Sequence, residues 1–199
     1  MVVMAESFES QLVRSVAGSR VRRMKRVEYE QLVKDGFFGD ERVELLFGVV
    51  VEMVPPSPQH EESLYRVRRY LERQLGERAL VRNAAPFAAS DDSEPQPDVF
   101  VHAPGEYWHA HPERALLVVE ISRSSLAIDR RVKSVLYANG SADEYWIVSH
   151  DDDFVEVYRR PNGDSWGSIT RHGRGESIAP LAFPDVLVPI DEILPPRAG

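Results

Sequence analysis

The sequence predicts an α/β fold, a mixed β-sheet core flanked by helices with an antiparallel hairpin near the C-terminus. Three observations predict it. Residues 116–122 (LLVVEIS) and 144–149 (EYWIVS) read as strands, and residues 129–139 between them read as a helix. Strand, helix, strand is a βαβ unit, which implies a parallel pair with a right-handed crossover. Farther on, FVEVY and WGSIT flank PNGD, a strong hairpin signal. No repeat, low-complexity block or internal linker divides the chain.

The elements follow in order. Residues 1–22 are expected to form a flexible arm, with a single domain over residues 23–199. The stretch 12–26 carries Arg14, Arg20, Arg22, Arg23, Lys25 and Arg26 without an acid. It reads as a solvated arm in preference to a nucleic-acid arm. RVEYEQLVK, residues 26–34, is a short helix ended by Asp35-Gly36. RVELLFGVVVEM gives two strands around Phe47-Gly48, and PPSP then breaks the chain.

A longer helix follows, with Ser57 as N-cap and Pro58 at the first position, where a missing N–H does no harm. Leu64, Val67, Leu71 and Leu75 recur at helical spacing, and Gly76 closes it. Arg66, Arg69 and Arg73 form a stripe on this helix. It reads as a solvated face partnered by Glu62 and Glu72. Residues 79–87 contain a strand, DDSEPQ is a loop, and DVFV is a short strand entered from Pro97. HAPGEYWHAHPER is a long polar connection. Its His102, His109 and His111 are too poorly spaced to favour a metal cluster. In the helix at 129–139, Val132, Val135 and Leu136 are apolar, and Gly140 stands just beyond. The tail LVPIDEILPP is expected to pack as an edge element.

The chain has 199 residues, enough to bury a full core. It has no cysteine, so thiol nucleophiles, disulfides and cysteine-ligated zinc are excluded. No apolar run reaches the roughly 18 residues of a membrane helix, and the first residues lack a secretory pattern. A cytoplasmic protein is the expectation. The net charge of −8 disfavours a surface coated by nucleic acid but allows a local basic patch.

Two carboxylates carry the chemistry. Glu120 lies inside an apolar strand, and Asp98 opens the preceding one. An ionised carboxylate removed from water needs a partner. If the two strands are neighbours, the carboxylates converge at one end of the sheet. Two oxygen ligands with a backbone carbonyl and waters suit Mg²⁺ or Mn²⁺. Taken singly, Asp98 reads as a turn former after proline, and Glu120 as half of a buried pair with Arg123 or Lys133. His60, in the first turn of its helix, could contact a phosphate or water, and reads equally as an ordinary first-turn histidine. The helix dipole there disfavours a charged imidazole.

Pro97-Asp98 followed by Glu120 resembles the active-site pattern of the PD-(D/E)XK, restriction-endonuclease-like superfamily. VELLFGVVVEMVPPSPQH, QPDVFV, LLVVEISRSSLAIDRRVKSVLYANG and EYWIVS together resemble the Uma-two family, assigned to the endonucleases. The resemblance runs from about Val27 to the C-terminus. It implies a restriction-endonuclease-like sheet core and a metal-dependent nuclease acting on DNA. It implies Asp98, Glu120 and the Ile121 carbonyl as ligands of Mg²⁺ or Mn²⁺. Ser122 stands where the superfamily's lysine normally does. The family places a lysine on the next helix instead, here Lys133, with Asp129 one turn earlier and Tyr137 matching in order. Glu44 matches an acid that the superfamily often supplies, and reads equally as an exposed strand residue. A homodimer is expected, because cutting both strands takes two sites. The runner-up is a non-catalytic nucleic-acid or protein-binding module on the same fold. A glycosidase using Asp98 and Glu120 as paired acids stands third.

Overall fold

The computed structural model describes residues 22–123, 125–139 and 141–195. Its centre is a six-stranded mixed sheet of order β3-β4-β5-β6-β7-β8. These strands are β3 (Leu80–Asn83), β4 (Val99–His102), β5 (Leu117–Ser122), β6 (Glu144–Ser149), β7 (Phe154–Asn162) and β8 (Ser165–Gly173). β5 and β6 are parallel, and every other neighbouring pair is antiparallel. The βαβ unit is therefore present. The PNGD hairpin joins two nine-residue strands, with Gly163 in the left-handed region at φ 67°.

Strand alternation sends side chains to two cores. One face of the sheet carries Val99, Val101, Val119, Ile121, Trp146 and Val148. Helix α2 (Pro58–Leu75) covers it with Val67, Leu71 and Leu75. The other face carries Phe100, Val118, Tyr145, Ile147 and Tyr158, covered by Leu136 and Tyr137 of helix α3 (residues 126–138) and by Phe87. Because both faces are covered, β5 and β6 are buried along their whole length.

Helix α1 (Arg26–Lys34) and the hairpin of β1 (Val43–Leu46) and β2 (Val49–Glu52) precede α2. The hairpin turns through Phe47 and Gly48 at φ 49° and 76°, both left-handed, as a two-residue turn matching strand twist requires. A side chain at Gly48 would lie 2.9 Å from the Met24 carbonyl, so the position is closed to larger residues. Ser57 caps α2 by accepting a bond from the His60 N–H at 3.3 Å. The arginine stripe is partnered as expected at Arg66, which donates to Glu62 at 2.8 Å, while Arg69 donates to the Tyr65 hydroxyl.

Several expectations need correction. The strand after Pro97 begins at Val99, and Asp98 lies just ahead of it, its carbonyl taking a bond from Ala84 N–H. The connecting helix α3 starts earlier, at Leu126, and contains a π-turn over Asp129–Lys133. There the Ser134 N–H reaches back five residues to the Asp129 carbonyl. His102 belongs to β4 and is fully buried, stacked on Phe100.

The tail does not edge the main sheet. Among the described residues β10 (Val188–Pro189) pairs with β9 (Ser177–Ile178) alone, and α4 (Ile190–Ile193) turns its isoleucines into the core beneath α2. Its apolar spacing fits a helical turn better than a strand.

Of the basic stretch, Arg14 and Arg20 lie outside the described residues, as do the expected arm except for Arg22, and Gly140. Arg22 pairs with Glu28, Arg23 donates to the Phe47 carbonyl at 2.6 Å, and Arg26 to Glu30 at 2.6 Å. Among the described residues, no helix is long and apolar enough to cross a membrane.

Candidate active site

β4 and β5 pair Val99 with Val119 and Phe100 with Val118. One step further, the same register sets Asp98 opposite Glu120, on the face covered by α3. The two carboxylates therefore meet at the end of the sheet, as their strand positions require if the strands are neighbours. Asp98 is fixed at both oxygens. Its Oδ2 accepts the Ile121 N–H at 2.7 Å, and its Oδ1 lies 2.9 Å from His60 Nε2. The Ile121 side chain points into the opposite core, so only its backbone belongs to the site.

Glu120 is buried, and both its bonds fall on Oε1. Lys133 Nζ donates at 3.1 Å and the Tyr137 hydroxyl at 2.8 Å, leaving Oε2 unused by either. Lys133 also stands 3.5 Å from Glu44 Oε1. Glu44 is buried on β1, with Oε2 accepting the Gln96 N–H at 3.1 Å, so its reading as an exposed strand residue is overturned. Of the two structural partners expected for Glu120, the pair forms with Lys133, whereas Arg123 lies 3.6 Å from Asp151.

Asp129 and Lys133 stand four residues apart on one face of α3, and both are buried. They do not pair directly. Lys133 goes to the two glutamates, and Asp129 Oδ2 accepts the Ser125 hydroxyl at 2.7 Å. Ser122 is buried beside Asp129, and its hydroxyl makes no hydrogen bond of good geometry. The ammonium that Ser122 cannot supply reaches Glu120 from α3 instead.

The electrostatics follow from burial and crowding. Desolvation pushes Glu120 well above the usual carboxylate range; Lys133 opposes this, while Asp98, Asp129 and Glu44 reinforce it. Asp129 is raised by burial too, with Lys133 and Ser125 pulling it down. For Lys133 burial favours the neutral amine, but Glu120, Glu44, Asp129 and Asp98 together outweigh it, and the ammonium is retained. The Asp98 hydrogen bond raises His60 against its desolvation, so the dipole expectation for this imidazole is reversed. Four carboxyls thus face one lysine and one histidine. If all are charged, the surplus equals the charge of one divalent cation.

Among the described residues, no three His, Asp or Glu side chains gather as a metal-holding set. Such a set is what a zinc-type cage requires. A hard, strongly hydrated cation is different, because it binds through one or two carboxylates and keeps several waters. Asp98 and Glu120 supply such an all-oxygen set, and Glu120 Oε2 has no bond from Lys133 or Tyr137. His109 and His111 lie on the connection after β4, at the opposite end of the strand from Asp98.

Sequence reasoning missed Ser125, Gln96 and the Glu156 group described below. Ser125 and Asp129 at i,i+4 offered a signal. Gln96 beside Pro97-Asp98 offered none, since its role depends on where β1 lies.

Among curated proteins, no sequence matches the chain. A crystal structure described as a putative nuclease belonging to DUF820, from Anabaena variabilis, matches with TM-score 0.64 and 16% identity. It covers 80% of this chain and 95% of that one, and at this identity it speaks for the fold alone. The profile of Uma2, described as "Putative restriction endonuclease", matches residues 26–191. With that match spanning most of its length, the chain belongs to the Uma2 family.

Proposed function

We propose that the chain is a metal-dependent endonuclease that hydrolyses DNA phosphodiester bonds. The observation that carries this reading is the Asp98–Glu120 pair, opposed across β4 and β5, with a buried ammonium on one oxygen of Glu120. Asp98 and Glu120, with the Ile121 carbonyl, would hold Mg²⁺ or Mn²⁺. When bound, such an ion lowers the pKa of its water and stabilises charge on the phosphate during in-line attack.

The chain's own residues do the rest. His60 and the Ile121 N–H orient the Asp98 carboxylate. Tyr137 and Lys133 fix Glu120 through Oε1. Lys133, held cationic by its four acidic neighbours, positions the attacking water or neutralises the developing charge. Glu44 keeps the lysine aimed by sharing its ammonium. Asp129 adds negative charge beside Lys133, and Ser125 holds it in place.

The reading as a non-catalytic binding module drew on Ser122. Lys133 on Glu120 weakens that objection, because a cation stands at the glutamate after all. Single-turnover incubation of the purified chain with labelled single-stranded, duplex and branched DNA, with Mn²⁺ or EDTA, tests the proposal. Cleavage that needs Mn²⁺ and disappears in Asp98→Asn is expected. No cleavage of any of these by the wild type would move the assignment to the binding module.

A further inference from the structure

One register row crosses the sheet. Glu120 pairs with Ile147, Ile147 with Glu156, and Glu156 with Arg171. Continued across β4, the row begins at Asp98. Residues of one row emerge on one face, so Glu156 and Arg171 share the face of the two site carboxylates. Three strand spacings separate Arg171 from Glu120, roughly 14 Å.

Glu156 is buried and collects two guanidinium groups. Arg130, from the π-turn of α3, donates through Nε at 2.9 Å and Nη2 at 2.7 Å. Arg171 donates through Nη2 at 2.8 Å, and the Tyr158 hydroxyl adds a bond at 2.9 Å. The Arg171 guanidinium also lies over the Phe154 ring, 4.0 Å from its centroid. Two cations share one carboxylate, so one positive charge is left over. The Arg171 side chain is 58% exposed, and its bond to Glu156 leaves Nε and Nη1 for another partner.

Other arginines of the surface differ. Arg66 and Arg68 on α2 each meet a glutamate of their own. Beside the Glu156 group, Asp151 and Asp153 face Arg123 and Arg174. The chain is acidic overall, and the site itself carries surplus carboxylates. A phosphodiester strand would be repelled except where a local cation holds it.

We propose that Arg171, braced by Glu156 and Phe154 beside Arg130, is a phosphate subsite for the nucleic-acid strand cut at Asp98 and Glu120. The proposal rests on the nuclease reading above and names where the substrate backbone lies. A planar guanidinium suits a phosphate's paired oxygens, and stacking on Phe154 orients it before the ligand arrives. A span of about 14 Å corresponds to about four base steps of duplex at 3.4 Å rise.

Fluorescence anisotropy with a labelled DNA duplex, at several salt concentrations, tests it on the full chain. Arg171→Gln is expected to weaken binding roughly threefold to tenfold and to reduce the salt slope by about one. Arg171→Lys should recover part of the affinity, because the charge returns without the fork. Melting temperatures of both variants identify any loss of fold. Wild-type binding with an unchanged isotherm and slope in folded Arg171→Gln would overturn the subsite and leave the nuclease reading standing. A wild type that neither binds nor cuts DNA would overturn both. If Arg171→Gln fails to fold, the comparison passes to Arg171→Met, which keeps most of the stem and removes the charge, and unchanged affinity and salt slope there would also overturn the subsite.

Discussion

Lys133 Nζ stands 3.1 Å from Glu120 Oε1 and 3.5 Å from Glu44 Oε1, so one buried ammonium joins α3 to both β5 and β1. The Glu120 contact ties α3 to the strand before it, and the Glu44 contact ties it to an element 89 positions earlier. The lysine therefore serves folding as well as any chemistry, and the two roles can be separated.

Lys133→Met removes the charge and keeps most of the stem. It leaves two buried carboxylates unpaired, which is expected to destabilise the chain by about 3–5 kcal/mol at neutral pH. Urea denaturation at pH 7 and pH 5 checks this. The deficit should shrink at the lower pH, where the stranded carboxyls take up protons. A deficit of under roughly 0.5 kcal/mol, the scale of a surface pair, would show that Lys133 is not buried as described. Under conditions where the variant is folded, single-turnover DNA cleavage should fall by roughly two to three orders of magnitude.

Glu120→Gln separates pairing from metal binding. In EDTA the amide can still accept from Tyr137 and Lys133, and Glu44 still neutralises the lysine. Stability should change by less than roughly 1 kcal/mol, because a buried charge already disfavoured by desolvation is removed at constant shape. Combining it with Glu44→Gln strands the ammonium, and the double variant should lose about 3–5 kcal/mol. Additive small effects in the double variant would contradict the shared-lysine arrangement.

Metal binding has a stability signature. Mn²⁺ or Mg²⁺ should raise the melting temperature of the wild type, since a ligand held only by the folded state stabilises it. Asp98→Ala should abolish the shift. An equal shift in both proteins would place the ion elsewhere.

Glu94 predicts a pH dependence away from the site. It is buried against α1, and burial together with the facing Glu30 carboxyl pushes it up to about 7, with Arg26 opposing. A raised carboxyl is protonated in the folded chain and ionised in the unfolded one over the window between about 4.5 and 7. Its stabilising contribution is thus full below the unfolded pKa and lost as pH rises through about 7. The loss should reach roughly 3–3.5 kcal/mol, at about 1.36 kcal/mol per unit. Glu94→Gln should flatten the stability profile across that window in urea titrations at pH 4 to 9. An unchanged slope would show that the Glu94 carboxyl is not raised in the folded chain.

The elements were legible because their signals are local. Ser57-Pro58 starts α2, and Gly76 closes it, by backbone chemistry written within a few residues. The alternation of LLVVEIS and EYWIVS between two buried faces identifies central strands. Glu120 stood out because a carboxylate in an apolar strand is costly wherever the strand goes, and Asp98 because it follows Pro97 at the opening of the strand before it. The resemblance to the endonuclease family added Lys133, Tyr137, Asp129 and Glu44 as positions, without their contacts.

Those contacts were decided by tertiary structure. Nothing within β1 says that Glu44 faces a lysine 89 positions later, since strand periodicity fixes a face but not what covers it. Helical spacing set Asp129 and Lys133 on one face as a pair, but packing gave Asp129 to Ser125 and Lys133 to the two glutamates. Likewise the tail's apolar residues were readable, but their place under α2 was not. Side-chain periodicity is a property of a few neighbouring residues. The partner of a buried charge is set by which distant element packs over it, and that is resolved only when the two cores close.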